Sequence, residues 1–151
     1  MKNRIKIPAI LFIIIFSVCF NLTAGQQYLK KINNSEQENN AKLVLGDIEN
    51  GIAEGNVKTL IGYFSTQTYL SLSNGINGYY SSNQAYYVLE NFFRDNQVSG
   101  FKFNDTQIEK GNMYGTGAYT FVTRGRRSDA QVYVSLKHTG IKWKITQLTI
   151  N

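Results

Sequence analysis

A chain of 151 residues has room for one domain and not two. Its net charge of +6 is inflated by Lys2, Arg4 and Lys6; beyond them 13 basic residues face 10 acidic ones, an ordinary balance that argues against a dedicated nucleic-acid binder. A single cysteine and a single histidine exclude an intrachain disulfide and a metal centre built on Cys or His ligands.

The N-terminus sets an address. Lys2, Arg4 and Lys6 form a basic region, Ile7 to Phe20 is apolar apart from Pro8 and Ser17, and small residues follow at Thr23, Ala24 and Gly25. That order is the pattern of a secretory signal peptide, and the apolar stretch is shorter than the roughly 20 residues a bilayer span needs. We expect residues 1–25 to be removed and the protein to work in the periplasm or outside the cell. Cys19 follows Phe16-Ser17-Val18, where a lipidated cysteine would follow small residues, so membrane contact is expected only through the signal. Residues 26–41 are polar with few apolar anchors and read as a lead segment; residues 42–151 read as the domain.

Leu43 to Ala53 carries Leu45, Ile48 and Ile52 at spacings of three and four, which predicts a helix. Gly55 suits its end, and Asn56 suits the start of a short helix from Val57 to Phe64. Tyr69 to Leu72 alternates as a short strand, and Asn74-Gly75 and Asn77-Gly78 signal turns. Ser81-Ser82-Asn83-Gln84 has the form of a capping box. After it, Ala85, Val88, Leu89, Phe92 and Phe93 make one apolar stripe, the clearest helix in the chain, ending near Asp95-Asn96.

Four strands follow. Val98 to Lys110 carries Phe101 and Phe103, then Thr106 and Ile108, so its alternation slips once near Asn104. Tyr114 to Arg124 sets Tyr119 and Phe121 opposite Ala118, Thr120 and Val122. Ala130 to His138 sets Val132, Val134 and Leu136 opposite Tyr133, Ser135 and Lys137. Ile141 to Ile150 switches parity between Ile145 and Leu148, as a β-bulge near Thr146-Gln147 would make it do. Helices first and a meander last predict an α+β fold, helices packed on one face of a curved antiparallel sheet.

This order resembles the cone-shaped fold of the nuclear transport factor two superfamily, the cystatin-like cone. More narrowly, Asp47-Ile48 with Gly55-Asn56 and Tyr63-Phe64, Tyr80-Ser81 with Gln84-Ala85, Leu89 and Phe92-Phe93, Tyr114-x-x-Gly117, Val132 to Lys137, and Trp143-Lys144-Ile145-x-x-Leu148-x-Ile150 are similar to an exported bacterial family catalogued as domain of unknown function forty-seven eighty-three. The resemblance covers about Leu43 to Ile150. It implies a fold and an exported address, and no catalytic residue comes with it.

Chemistry is sparse. His138 sits beside the Thr139-Gly140 turn with no second imidazole. Asp105 shares the parity of Phe101 and Phe103 and is the candidate for a carboxylate inside a cone, where cone-fold isomerases pair a carboxylate with a tyrosine. The slip at Asn104 equally suits a turn or edge. Tyr63, Tyr80 and Tyr87 belong to a tyrosine-rich stretch around the second half of the helical region and are candidates for ligand binding, against a bland role in packing. Arg124, Arg126 and Arg127 make one hairpin end cationic and are candidates for gripping an anion, against a solubilising turn. Gly115-x-Gly117 opens a strand with no helix behind it and is not a phosphate loop. No metal site and no cofactor are expected.

The reading preferred on these grounds is an exported, non-catalytic binding or interaction module for a small molecule or a protein, working through the cone mouth or the open sheet face. A homodimer through the sheet and no nucleic-acid partner complete that reading. The alternatives are an isomerase- or dehydratase-like enzyme using Asp105 and a tyrosine, and a binder of anionic glycan or phosphate through the basic hairpin.

Overall fold

The computed structural model describes residues 35–151. The predicted signal segment 1–25 and the first part of the lead segment lie outside the described residues. Residues 40–151 make up one contact unit. Residues 35–53 are helical (α1) and are followed by α2 (Val57–Ile61), β1 (Phe64–Leu72), β2 (Asn77–Ser81), α3 (Ser82–Asp95), β3 (Gln97–Glu109), β4 (Asn112–Thr123), β5 (Arg126–Thr139) and β6 (Lys142–Ile150). Among the described residues no helix is long and apolar enough to cross a membrane.

α1 is already helical at residue 35, well before Leu43, and Ala41 is fully buried along with Ile48 and Ile52. Gly51 lets α2 approach closely, since a Cβ there would stand 2.7 Å from the Leu60 side chain. α3 starts as expected. The Ser81 hydroxyl accepts from the Gln84 N–H, and the Gln84 side chain accepts from the Ser81 N–H at 3.0 Å. Its buried stripe is Ala85, Leu89, Phe92 and Phe93.

The six strands form one sheet in the order β2-β1-β6-β5-β4-β3. Neighbours are antiparallel except β1 and β6, which run parallel, so the sheet is mixed and mostly antiparallel. The parallel pair was not expected. It arises because α3 carries the chain from the β2 edge to the far β3 edge, and the meander then winds back until β6 meets β1. β1 also begins at Phe64, which the sequence placed in a helix, and Asn77-Gly78 lies in β2 and not in a turn. The polar run Ser65-Thr66-Gln67 lies between the Phe64–Ile145 pair with β6 and the Gln67–Ser81 pair with β2, which hold it in the strand. Where that pairing is irregular, the fully buried Thr68 donates its hydroxyl to the Ile145 carbonyl at 2.9 Å.

One face of the sheet is covered by the helices. Leu70, Met113, Tyr119, Val134, Leu136, Trp143, Ile145 and Leu148 are buried there together with Ile48, Leu60, Leu89 and Phe92 from the helices. Tyr119 sits among Phe92, Phe93 and Phe121, donates to the Asn96 carbonyl at 3.2 Å, and its phenol pKa is pushed well up by burial. β3 folds over the start of β4 because Gly115 and Gly117 leave room for the Phe103 and Phe101 rings, which meet edge to face at 5.0 Å. The Phe103 N–H is taken up by the Glu49 carboxylate of α1 at 2.8 Å. Phe101 is buried in the core and Phe103 packs against it.

Candidate functional site

Two surfaces of the described residues could meet a ligand: an open depression of about 780 Å³ on the helical side, lined by Glu54 to Lys58, Tyr86, Glu90, Phe93, Arg94, Gln97 and Val98, and the face of the sheet that the helices leave uncovered. Strand alternation puts every second side chain there. The two parity slips decide which ones. β3 shifts register between Phe103 and Asp105, and β6 is bulged at Thr146, opposite the step from Ser135 to Leu136. The bulge near Thr146-Gln147 is therefore as the sequence indicated.

Followed across the sheet, the pairing registers join into two unbroken rows on the open face. One reads Tyr79, Tyr69, Gln147, Ser135, Tyr114 and Gln107 from β2 to β3. The other reads Asn77, Ser71, Thr149, Tyr133, Thr116 and Asp105. Eleven of these twelve residues are uncharged, and Asp105 stands at the β3 end.

Two shallow depressions lie along the rows. One, of about 620 Å³, is lined by Gln67, Tyr69, Tyr79, Thr146 and Gln147. The other, of about 340 Å³, is lined by Asp105, Gln107, Tyr114, Thr116 and Tyr133. In the first, Tyr69 and Tyr79 meet edge to face at 5.2 Å, and the Tyr69 hydroxyl donates to Asn77 Oδ1 at 2.5 Å. In the second, Tyr114 and Tyr133 stack at 6.3 Å with planes 26° apart. Between them the side chains hold one another: Gln147 Nε2 donates to Thr149 Oγ1 at 3.2 Å, Thr146 Oγ1 donates to the Ser135 carbonyl at 3.1 Å, and Asn151 Nδ2 donates to Ser71 Oγ at 3.0 Å. Tyr69, Tyr114 and Tyr133 are half-buried and Tyr79 is 71% exposed; polar groups already bonded to one another and rings already partly held lose little side-chain entropy when they are covered.

The residues singled out from sequence fall elsewhere or are scattered. Asp105 is exposed and points to the open face, not into the core with Phe101 and Phe103. The extra residue at Asn104 reverses its side, so its inward placement is corrected. His138 does share the inner face with Leu136, and its ring rests edge-on against Trp143 at 5.0 Å. Tyr63, Tyr80 and Tyr87 do not meet. Tyr63 donates to the Asp47 carboxylate, Tyr80 packs against the core, and Tyr87 is 64% exposed on α3 beside Tyr86. The pKa of Tyr63 is pushed up to about 12, by burial first and then by the hydrogen bond to Asp47 and its charge.

Arg124 and Gly125 form the two-residue turn of the β4–β5 hairpin, both with positive φ (50° and 74°). Arg126 and Arg127 are already in β5, paired with Thr123 and Val122, and as successive strand residues they point to opposite faces. The three guanidinium groups therefore share a hairpin end without converging. Among the described residues no group of three His, Cys, Asp or Glu side chains is placed to hold a metal ion.

The tyrosines that do share a surface are Tyr69, Tyr79, Tyr114 and Tyr133. Alternation in the sequence already set Tyr133 opposite Val132 and Val134. What it lacked was the cross-strand register that sets Tyr69 beside Gln147, 78 positions on, and Tyr114 beside Ser135, 21 positions on.

No curated protein matches the chain. Among solved structures, a protein from Bacteroides uniformis described as a member of the DUF4783 family superimposes with a TM-score of 0.64 at 18% identity, over 70% of this chain and 94% of the other. A protein named for the nuclear transport factor two type superimposes with a TM-score of 0.61 at 14% identity, over 76% of this chain and 99% of the other. A protein from Catenulispora acidiphila with a ketosteroid isomerase-like fold, in complex with trimethylamine, gives a TM-score of 0.57 at 11% identity, over 72% and 83% of the two chains. These likenesses agree with the nuclear transport factor two-like architecture described above. The family model described as Domain of unknown function (DUF4783) matches residues 45–151, and the chain belongs to that family.

Proposed function

We propose that the domain is a non-catalytic binding module whose working surface is the open face of the sheet. The observation that carries this reading is the pair of continuous rows, in which four tyrosines and a set of amides and hydroxyls are brought to one surface while the inner face is occupied by its own side chains. Tyrosine offers a flat apolar body with a polar tip, the combination enriched at recognition surfaces. The enzyme alternative rested on Asp105 facing inward beside a tyrosine, and Asp105 faces outward. The ordered basic, apolar and small-residue regions at the N-terminus support export, which would place the ligand outside the cytoplasm.

The test is recovery of bound material from the native envelope. Tyr114→Ala with Tyr133→Ala should abolish co-purification, while Asn91→Ala, an exposed change on α3, should leave it intact. Equal recovery by both variants, each with an unchanged far-UV circular dichroism spectrum, would move the working surface away from this face.

A further inference from the structure

We infer that the ligand of the open face is a neutral glycan chain lying along the two rows, across the strands, with its sugar rings on the tyrosine pairs; this rests on the binding-module reading above. The layout sets the chemistry. Tyr69 on β1 and Tyr114 on β4 stand in the same row three strands apart, about 14 Å at the usual strand spacing. Between them lie Gln147 and Ser135, with Thr149 in the next row. A ligand along the row meets a ring pair, a stretch of hydroxyl and amide groups, and a second ring pair. A pyranose matches that sequence of surfaces. Its C–H face carries the slight positive charge that the negative face of an aromatic ring attracts, and its hydroxyl edges donate and accept hydrogen bonds.

Other ligand classes fit less well. A polyanion would find no Lys or Arg within the two rows, where Asp105 would repel it; the Lys137–Lys144 pair stands in the adjoining row beside Ser135, with Lys144 Nζ bonded to the Gly62 carbonyl, so the salt dependence of binding is the discriminating readout. A lipid surface or an obligate partner would call for aliphatic side chains, and the rows contain none. An extended peptide that adds to a sheet does so at an edge, and this face presents side chains with the main-chain ladder already paired.

The probes are chito-, cello- and manno-oligosaccharides from disaccharide to hexasaccharide, titrated into the isotopically labelled protein and followed by amide chemical shifts. At least one series should bind, with affinity rising at the length that first covers both depressions, and the shifts should map to β1, β4, β5 and β6. Raising salt from 0.05 to about 0.5 M should change affinity little, because no exposed charge pair is involved. Tyr69→Ala and Tyr114→Ala should each weaken binding about threefold to tenfold, the range of aromatic contacts, and Asn91→Ala should not. If no oligosaccharide binds while another ligand shifts the same amides, the glycan assignment is overturned and the binding surface survives. If oligosaccharides bind but shift the helical side, or ignore both tyrosine substitutions, the assignment and the surface fall together. Binding confined to anionic glycans and lost with salt, or a dimer whose dissociation by Tyr114→Arg removes the same shifts, also overturns it.

Discussion

Gly117→Ala tests the packing of β3 over β4 at its tightest point. In a strand interior, replacing glycine by alanine normally gains about 0.5–1 kcal/mol, because glycine loses the most backbone freedom on folding. Here the added Cβ would lie 2.2 Å from the Lys102 carbonyl oxygen and 2.8 Å from the Phe101 ring, well inside any distance that real Cβ atoms show. The oxygen belongs to the backbone of the paired strand, so relief requires β3 to move and not merely a rotamer to change. Overpacking of this kind costs about 1–3 kcal/mol, and a backbone neighbour puts the cost at the upper end. Gly115→Ala meets only the Phe103 ring, at 2.6 Å, and that half-buried ring can swing aside, so its cost should be smaller. Gly46→Ala is the control. It is helical and exposed with nothing within 4 Å, and should gain about 1 kcal/mol. Urea unfolding followed by tryptophan fluorescence ranks the three, and a loss of 3 kcal/mol should lower the melting temperature by on the order of 10 °C. A neutral or stabilising Gly117→Ala would refute the close approach of β3 and the account of how Phe101 and Phe103 close the core.

Phe92→Ala removes a ring that is 1% exposed and packed against Phe93 and Tyr119, and should cost about 3–5 kcal/mol in urea unfolding. Ser81→Ala removes one half of the capping box and should cost about 1 kcal/mol with no change in the urea dependence. In an alkaline titration read at 295 nm, Tyr63, Tyr86 and Tyr119 should ionise above the usual tyrosine value, Tyr63 and Tyr119 chiefly through burial and Tyr86 chiefly through its bond to Glu90. Because the folded state holds these protons more tightly than the unfolded chain, their contribution is complete below pH 10 and is lost as pH rises through the folded values. Stability that increased over that interval would contradict the burial of Tyr119 and the Tyr63–Asp47 bond.

Much of the architecture is local information and was readable in the chain. The stripe Ala85, Leu89, Phe92 and Phe93 repeats with the helix and follows its own cap, so α3 is specified by residues within one segment. The alternation of Val132, Val134 and Leu136 fixes which side of β5 is buried, and the break between Ile145 and Leu148 marks the bulge in β6. Gly125, Gly111 and Gly140, all at positive φ, mark the hairpin turns. Where strand character is weak, the sequence was silent. Ser65 to Gln67 is carried into β1 by the pairs on either side of it, Phe64 with Ile145 and Gln67 with Ser81, and β2 itself forms in a segment that reads as turns.

The site lies beyond local information for a related reason. Alternation assigns a residue to a face, but a surface is made by register, and register is set by hairpin lengths and bulges summed over several strands. One inserted residue at Asn104 moves Asp105 from the core side to the open side. The bulge at Thr146 brings Gln147 level with Tyr69 and Ser135, and without it the row would break at β6. By itself the sequence determined the α+β class, the capped helix, the buried side of β5 and the signal-like N-terminus, each written in a short window of residues. Only the tertiary structure decided that β1 and β6 run parallel and that Tyr69, Tyr79, Tyr114 and Tyr133 share one face, because those relations join residues far apart in the chain through backbone pairing that no window contains.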